Sequence, residues 1–375
     1  MLRLLFLVMF LLVIVSCGNE TQKKQVQNKQ KKKEVRLKII DSTHNNYAKI
    51  MSGNELSLLT YHFYDKYSEE LHQKADKIDQ DRFKPMKKWN REQMDKSKQS
   101  SKSLFYPFSG GDFLHANTYF PDVDTYILMA KEKVGSVPIL NVSNSGKFKQ
   151  HLTDITKSLR DLFGKSYFIT KHMNTDTRKT TVNGMLPILL FSLGLREYQI
   201  IDIYDVKIDS SGSLKTSDFN NDLKSTAIKI DFFEKNSSTI KSLYYFSCDL
   251  SNDGLENDKN LAKYIESLPK GYVFLKSASY LLHYGTFSTI RNLIINNLKY
   301  LIQDDTGIPF KKFNPSNFDV KLFGKYTKPV KDFSNGIQLD MSRAYKSDLY
   351  KGGLPFSLGY HWFTDNQNQQ IIIKK

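Results

Sequence analysis

Apolar runs and amphipathic segments alternate along most of this 375-residue chain, and that alternation limits the folds open to it. Residues 148–163 place Leu152, Ile155 and Leu159 at helical spacing, which predicts an amphipathic helix, and a shorter helix is expected at 110–120. Short runs of β-branched and aromatic residues predict strands at 104–108, 125–130, 167–169, 200–206 and 228–233. Alternating strands and helices are typical of α/β proteins, so we expect a mixed sheet with flanking helices.

Five weak matches recur in one order within residues 103–209 and 242–323. The first pairs Ser-Leu-Phe-Tyr with Ser-Leu-Tyr-Tyr, and the second pairs Tyr-Ile with Tyr-Val. The offset between matched positions falls from 139 to 114 residues along the chain, so chance competes with a duplicated α/β unit as the interpretation. If the unit is duplicated, the body divides into halves 103–241 and 242–375.

Residues 39–102 read as a helical lead-in to this body. Leu59, Phe63 and Tyr67 are spaced by four with charged residues between them, which predicts a helix over 56–81. Pro85 is expected to end that helix, because proline has no amide hydrogen to donate. A second short helix is predicted at 86–98. At the other end of the chain, 359–373 is predicted to form a hairpin that closes the fold.

Twelve uncharged apolar residues, 4–15, follow a single Arg near the amino terminus and precede Ser16 and Cys17. A membrane-spanning helix needs about 20 apolar residues. The run is too short to span a bilayer, and it is typical of a secretory signal peptide.

The tetrapeptide Ile-Val-Ser-Cys at 14–17 resembles the lipobox of bacterial lipoproteins. That resemblance implies removal of a signal peptide, residues 1–16, a fatty-acylated Cys17 and a place in the cell envelope outside the cytoplasm. Because no Asp follows the cysteine, the resemblance favours the outer membrane or the cell surface over the inner membrane. The alternative is a plain signal peptide or short anchor in which the cysteine is incidental.

Residues 18–38, directly after this cysteine, contribute +6 of the formal net charge of +16. Residues 18–38 hold eight Lys and Arg against two Glu, and few apolar side chains, so 17–38 is expected to be a flexible basic tether. Its lysines can attract anionic headgroups, although a solvated linker is the alternative. Only nine of the 55 basic residues are Arg, the residue best suited to phosphates and base edges, so we expect no nucleic-acid partner.

Cys17 and Cys248 are the two cysteines of the chain. Two cysteines exclude a disulfide scaffold and a multi-cysteine metal site. Cys248 is expected to be a buried structural thiol, because the sequence shows no positioned base that would make it a nucleophile.

A Gly-Gly turn between a predicted strand and a predicted helix, at 109–115, is the first candidate site. Ligands bind in open α/β sheets at loops that leave the carboxyl ends of strands, so Gly110 and Gly111 are candidates for approaching a cofactor. Asp112 and His115 are three residues apart and share a helix face, as an acid–base pair would. The alternative is a polar pair in which Asp112 serves the helix amino end. Two such ligands do not make a metal site, and no metal is expected.

The same turn has a faint resemblance to the first glycine motif of class I methyltransferases, which would imply S-adenosylmethionine as cofactor. It departs from that motif, since the spaced glycines are missing and Asp112 would repel a phosphate. A protein outside the cytoplasm also meets no pool of that cofactor, so no cofactor is assigned. The stretch 105–112 further resembles one in uncharacterised bacterial proteins, which implies no function.

Asp304 and Asp305 form the second candidate site, at the end of a strand-like run. Adjacent carboxylates can bind a cation or perform acid–base work, and a plain Asp-Gly turn is the alternative. Asp305 begins an Asp-Thr-Gly triplet that resembles the catalytic triplet of aspartic proteases. Those enzymes need a second triplet, and the corresponding segment, 182–184, reads Val-Asn-Gly, which argues against a protease. His283 and His361 stand alone among aromatic residues and are expected to be hydrogen-bonded core histidines.

These features favour a membrane-tethered extracytoplasmic protein that binds an envelope protein or a glycan, or that has a structural role. The alternative is a tethered hydrolase that uses the loops 109–115 and 304–307. The hydrolase requires Asp112 to lie near Asp304 and Asp305 in a pocket.

Overall fold

The computed structural model describes residues 43–94, 101–165, 180–329, 337–361 and 366–375. The proposed signal peptide, Cys17 and the basic tether lie outside these residues, as does the strand expected at 167–169. Within the described ranges, a mixed sheet carries helices on both faces and is preceded by a helical lead-in. The predicted fold class is therefore confirmed.

The sheet contains eleven strands, counted over the described residues. Their bounds are β1 (Ser103–Pro107), β2 (Thr125–Ala130), β3 (Tyr198–Ile208), β4 (Leu214–Asp218), β5 (Ala227–Glu234), β6 (Lys241–Ser247), β7 (Gly271–Leu275), β8 (Leu298–Gln303), β9 (Phe318–Gly324), β10 (Tyr350–Gly352) and β11 (Asn368–Lys374). Their order across the sheet is β10-β9-β11-β8-β7-β1-β2-β6-β5-β3-β4.

The five central strands, β8, β7, β1, β2 and β6, are parallel. An antiparallel strand flanks them on each side, β11 next to β8 and β5 next to β6. From β1 the chain moves to β2 and out to the edge strands β3 and β4, comes back through β5 to β6, and then crosses to the other side of β1 for β7 and β8. This doubly wound order places a topological switch point between β1 and β7.

Ten α-helices occur in the described residues. Their bounds are α1 (Thr43–Met51), α2 (His62–Ile78), α3 (Lys84–Gln93), α4 (Phe113–Tyr119), α5 (Ser145–Lys165), α6 (Met185–Leu195), α7 (Asn252–Asn257), α8 (Lys259–Ser267), α9 (Ser288–Asn297) and α10 (Leu339–Ala344). Short 3₁₀ turns include Leu56–Leu58, Ser277–His283, Gly285–Phe287, Phe310–Lys312 and Gly359–His361.

The sheet separates two apolar cores because neighbouring residues of a strand face opposite sides. Leu104 and Tyr106 of β1 belong to one core, together with the lead-in helices, α4, α5 and α6. Phe105 belongs to the other, together with α7, α8 and α9. Helices therefore cover both faces of the parallel strands, as a parallel sheet requires.

The lead-in is tied to the body by a close helix contact. A Cβ on Gly194 of α6 would lie 2.3 Å from the carbonyl oxygen of Ala48 in α1, so this contact requires glycine. Asn45 adds two hydrogen bonds to the backbone of Ile200 in β3, at 2.6 and 2.7 Å. The lead-in is thus part of the same core as the sheet.

Two expectations about local structure were wrong. Pro85 does not end the helical lead-in, because a π-helical turn, Asp79–Phe83, joins α2 to α3 and places the proline in the first turn of α3. Proline is tolerated there, since the first amides of a helix have no partner within the helix. The carboxyl end is not a hairpin, because Gly359–His361 is a 3₁₀ turn and β11 pairs with the distant strands β8 and β9.

The two stretches of the proposed repeat occupy the sheet differently. β1 pairs directly with β2, whereas β6 and β7, their counterparts in the repeat, lie on opposite sides of that pair. One sheet spans both halves, since β5 of the first half pairs with β6 of the second. The duplication stays a hypothesis from the sequence.

Candidate functional site

Three loops meet at the carboxyl ends of β1, β7 and β8, beside the switch point. Because neighbouring parallel strands end at one edge of the sheet, the residues after Pro107, Leu275 and Gln303 lie close together. These loops carry both sets of candidate residues from the sequence, and the side chains form a buried polar cluster.

Asp112 is the amino-terminal cap of α4 and accepts a hydrogen bond from the His115 amide at 3.3 Å. Its Oδ2 accepts from the Tyr106 hydroxyl at 3.1 Å and from the Lys276 ammonium. Burial opposes ionisation, but the interaction with His115, together with the charge and hydrogen bond of Lys276, holds the pKa of Asp112 well below its usual range. The carboxylate is therefore ionised and fully engaged, and it has the capping role that the sequence left as one alternative.

His115 lies behind Asp112, with its Nδ1 2.7 Å from Asp112 Oδ1. Burial lowers the pKa of His115 to about 3, so the ring is neutral at physiological pH and donates its Nδ1–H to the carboxylate. Nε2 finds no hydrogen-bond partner among the described residues. The Phe83 ring meets the imidazole edge to face at 5.3 Å. This environment excludes water and suits an orienting role better than proton exchange with solvent.

Gly110 and Gly111 shape the turn between β1 and α4. Gly110 has φ +55°, a conformation that glycine adopts without strain. A Cβ on Gly111 would lie 3.1 Å from Ile188 and 3.2 Å from Met185, both in α6. The space beside Gly111 is thus occupied by a helix, and this glycine is explained by helix packing.

Asp304 and Asp305 have different partners although they are neighbours. Asp304 Oδ1 accepts from the Thr306 amide at 2.9 Å and from the Thr306 hydroxyl. Its Oδ2 is buried without a hydrogen-bond partner among the described residues. Burial and the neighbouring Asp305 charge raise the pKa of Asp304 to about 6. Asp304 therefore has a buried carboxyl oxygen that no described residue pairs, and this oxygen can hold a proton or accept a ligand.

Asp305 binds His361, which follows it by 56 residues. His361 Nε2 lies 2.6 Å from Asp305 Oδ1, and the Asn368 amide donates to the same oxygen at 2.9 Å. Burial alone would lower the pKa of His361, but the hydrogen bond and charge of Asp305 raise it. His361 is thus the hydrogen-bonded core histidine that the sequence predicts.

Burial lowers the pKa of His283, which is only partly exposed.

Lys276 joins the two candidate loops, and sequence reasoning missed it. It is the first residue after β7 and is 2% exposed, like Asp304, while Asp112 is 1% exposed. Its ammonium pairs with Asp112, and the charge of Asp304 also acts on it. Burial lowers the pKa of Lys276. The available signal was its position directly after a wholly apolar run.

Ser277 is the second residue that the sequence did not single out. Its φ is +58°, which is unusual outside glycine, and its buried Oγ has no hydrogen-bond partner among the described residues. A Cβ on Gly359 would lie 2.7 Å from Asp304 Oδ2 and 3.2 Å from Ser277 Oγ. Both unpartnered oxygens therefore face the backbone of Gly359.

The structure thus brings Asp112 and Asp304 to one sheet end, as the hydrolase hypothesis requires, but it buries them. The Asp-Thr-Gly and Val-Asn-Gly triplets do not form a matched pair, since Asp305 binds His361 whereas Asn183 accepts from the Ser136 amide at 2.8 Å. Among the described residues, no group of three or more His, Cys, Asp or Glu side chains is arranged to hold a metal ion. Within the same ranges, no helix is both long and apolar enough to cross a bilayer.

Comparison with known proteins adds no relative: no protein-family model, no curated protein and no solved structure matches this chain.

Proposed function

We propose that this chain is a lipid-anchored protein of the bacterial cell envelope whose α/β body binds an envelope glycan and has no catalytic role. The observation that carries the non-catalytic part is the pairing of Asp112, His115 and Lys276 with one another in the core. Groups that act on a substrate need a face toward it, and these three are almost wholly excluded from solvent. Their arrangement stabilises the loops that follow β1 and β7 beside the switch point.

The anchor rests on the lipobox-like residues that end at Cys17. One acyl chain binds a membrane only marginally, whereas two hold a soluble body stably. The basic tether, 17–38, would add attraction to anionic headgroups. Together these features support a body held close to a membrane surface.

A groove of about 760 Å³ at the carboxyl ends of β3 and β6 supports the binding role. Its rim carries three exposed side chains, those of Asp253 in the first turn of α7, Asn257 at the end of α7 and Asp258 at the amino-terminal cap of α8, with Asn260 beside them. Carboxylates and amides can hydrogen-bond several hydroxyl groups at once, so this rim suits a glycan. The groove lies at the carboxyl end of β6, the last of the five parallel strands, and α/β folds bind ligands at this edge of a parallel sheet.

The anchor is tested by metabolic labelling with an alkyne-bearing palmitate. We expect Cys17→Ala to lose the label and to accumulate as unprocessed precursor, while Cys248→Ala, the matched control, keeps both label and processing. Label retained in Cys17→Ala would remove the anchor from the proposal.

The binding role is tested by titration with a tetramer of β-1,4-linked N-acetylglucosamine, followed by NMR or calorimetry. We expect Asp253→Ala and Asn257→Ala each to weaken binding about tenfold, since a lost polar contact leaves its partner unpaired. Asp65→Ala, an exposed change on α2, is the control and should bind like the wild type. A wild-type protein that does not bind the tetramer would contradict the glycan proposal and leave an envelope protein as the partner to test.

One observation favours a second candidate, a tethered hydrolase. Asp304 Oδ2 and Ser277 Oγ are both unpartnered within the described residues and face Gly359, and the pKa of Asp304 is raised to about 6 by burial and by Asp305. A carboxyl with this pKa can exchange a proton near neutral pH. Turnover of chromogenic esters or glycosides that disappears in Asp304→Asn but persists in Asp65→Ala would favour the hydrolase over the binding protein.

A further inference from the structure

We propose that a groove between α2 and α5 binds an anionic lipid, with the acyl chain along its floor and the charged headgroup at its rim. The groove has a volume of about 500 Å³, which lies in the range of known ligand sites. It lies on the lead-in side of the body, apart from the glycan groove. The inference does not depend on acylation of Cys17 or on glycan binding.

The floor of the groove is apolar. Ile78 at the end of α2 is only 9% exposed, and Phe163 near the end of α5 is partly buried. The stems of the surrounding lysines extend this surface, because a lysine can cover apolar area while its ammonium stays in water. Such a floor accepts a hydrocarbon chain and offers little to a fully polar ligand.

The rim of the groove is basic. The exposed residues Lys74 and Lys77 come from α2, and Lys157 and Arg160 come from α5, whereas Asp81 is the one acid among the lining residues. An apolar floor under four cations matches a molecule with an apolar chain and a negative headgroup. This charge complementarity distinguishes an anionic lipid from a neutral one.

Arg82 closes the inner wall of the groove. It is 2% exposed and donates to the carbonyl oxygens of Leu162 and Phe163, at 3.2 and 3.3 Å, in the last turn of α5. These bonds hold the π-helical turn against α5, so the two walls of the groove keep a fixed separation. A preformed groove needs little ordering when the ligand binds.

Gly164 marks open space on the α5 wall. A Cβ built there would have no heavy atom of the described residues within 4 Å. A larger side chain at this position can therefore enter the groove without a clash. Gly146, in the first turn of the same helix, also leaves room for a side chain, with its nearest neighbour at 3.7 Å, but it does not line the groove.

The experiment uses the full chain in dodecyl maltoside and a photoreactive dodecyl phosphate with a diazirine at the chain end. We expect crosslinks in peptides of α2 and α5. They should form although the detergent supplies a large excess of dodecyl chains, because the detergent headgroup is uncharged. Dodecyl phosphate should compete, whereas inorganic phosphate should not. Gly164→Leu should reduce labelling about tenfold, and so should the double change Lys77→Glu with Arg160→Glu. Gly146→Leu should leave labelling unchanged.

Thermal unfolding of each variant separates loss of binding from loss of folding. Equal labelling of Gly164→Leu and Gly146→Leu in folded protein would overturn the proposal, as would crosslinks confined to other parts of the chain. Competition by inorganic phosphate as strong as that by dodecyl phosphate would also overturn it, because the groove would then be a site for free anions. Loss of Cys17 acylation or of glycan binding would leave this result unaffected.

Discussion

The ammonium of Lys276 donates to the carboxylate of Asp112 across 164 positions of sequence, and both side chains are buried. The two residues follow β7 and β1, the strands on either side of the switch point. Asp112 also caps α4 and accepts hydrogen bonds from the side chains of His115 and Tyr106. One ion pair therefore joins the start of a helix, two strand ends and a neutral histidine.

Replacing one partner of this pair is expected to leave a buried charge. Asp112→Asn keeps a side-chain oxygen for the helix cap but removes the charge that balances Lys276, so the free energy of unfolding should fall by about 3–5 kcal/mol. Chemical denaturation measures this loss. Glu70→Gln, which removes an exposed helical ion pair with Lys66, is the control and should cost less than about 0.5 kcal/mol.

The same pair should show strong coupling in a double-mutant cycle. Lys276→Met alone leaves the Asp112 carboxylate buried without its positive partner. In the double variant, Asp112→Asn with Lys276→Met, neither charge is present. The double loss should therefore be smaller than the sum of the single losses by more than about 1 kcal/mol. Additive effects would show that the two residues act independently.

Asp304 is expected to make the protein less stable as pH rises. Burial and Asp305 raise its pKa to about 6, against about 3.9 in an unfolded chain. The folded state thus holds more protons between these values, and stability is full below pH 4 and is lost as pH rises through 6. The loss is on the order of 2–3 kcal/mol.

Asp304→Asn should abolish this pH-dependent loss of stability. The unfolding free energy of the variant and of the wild type is measured at pH 4 and at pH 7, and the difference between the two proteins is compared at the two pH values. His115, whose lowered pKa acts in the opposite direction, is common to both proteins and cancels in that difference. A difference that does not vary with pH would contradict the raised pKa.

Gly359→Ala is expected to disturb the buried polar cluster next to Asp304. Gly359 has φ +64°, and an added Cβ would lie 2.7 Å from Asp304 Oδ2, so strain and a clash coincide. We expect a loss of about 1–3 kcal/mol in unfolding free energy. Gly353→Ala is the control, because a Cβ there has no neighbour within 4 Å in the described part of the chain, and it should change stability by less than about 0.5 kcal/mol.

Cys248 should react slowly although it lines the groove beside β6. Burial and the charges of Asp258 and Asp249 raise its pKa to about 12, so very little thiolate exists at pH 8. In a Cys17→Ala background, iodoacetamide should alkylate folded protein more than about a hundredfold slower than denatured protein, as followed by mass spectrometry. Rapid alkylation of the folded chain would contradict a structural thiol.

Local elements were predictable where apolar spacing is regular. The strand expected at 125–130 is β2 residue for residue, and the helix expected at 148–163 lies within α5. Prediction failed where distant residues decide the outcome. The segment 359–373 is compatible with a hairpin on its own, but β11 gains partners on both sides by pairing with β8 and β9. Long-range pairing leaves no local pattern, so sequence spacing could not reveal it.

The candidate site divides in the same way. The sequence by itself determined that Asp112, His115, Asp304 and Asp305 follow strand-like runs, and hence that they could share the carboxyl edge of an α/β sheet, because hydrophobic periodicity is a local property. Only the tertiary structure decided that Lys276 neutralises Asp112, that His361 binds Asp305 and that Asp304 keeps an oxygen unpaired within the described chain. The physical reason is that burial and pairing set the charge of such groups, and both depend on which distant residues the strand order brings together.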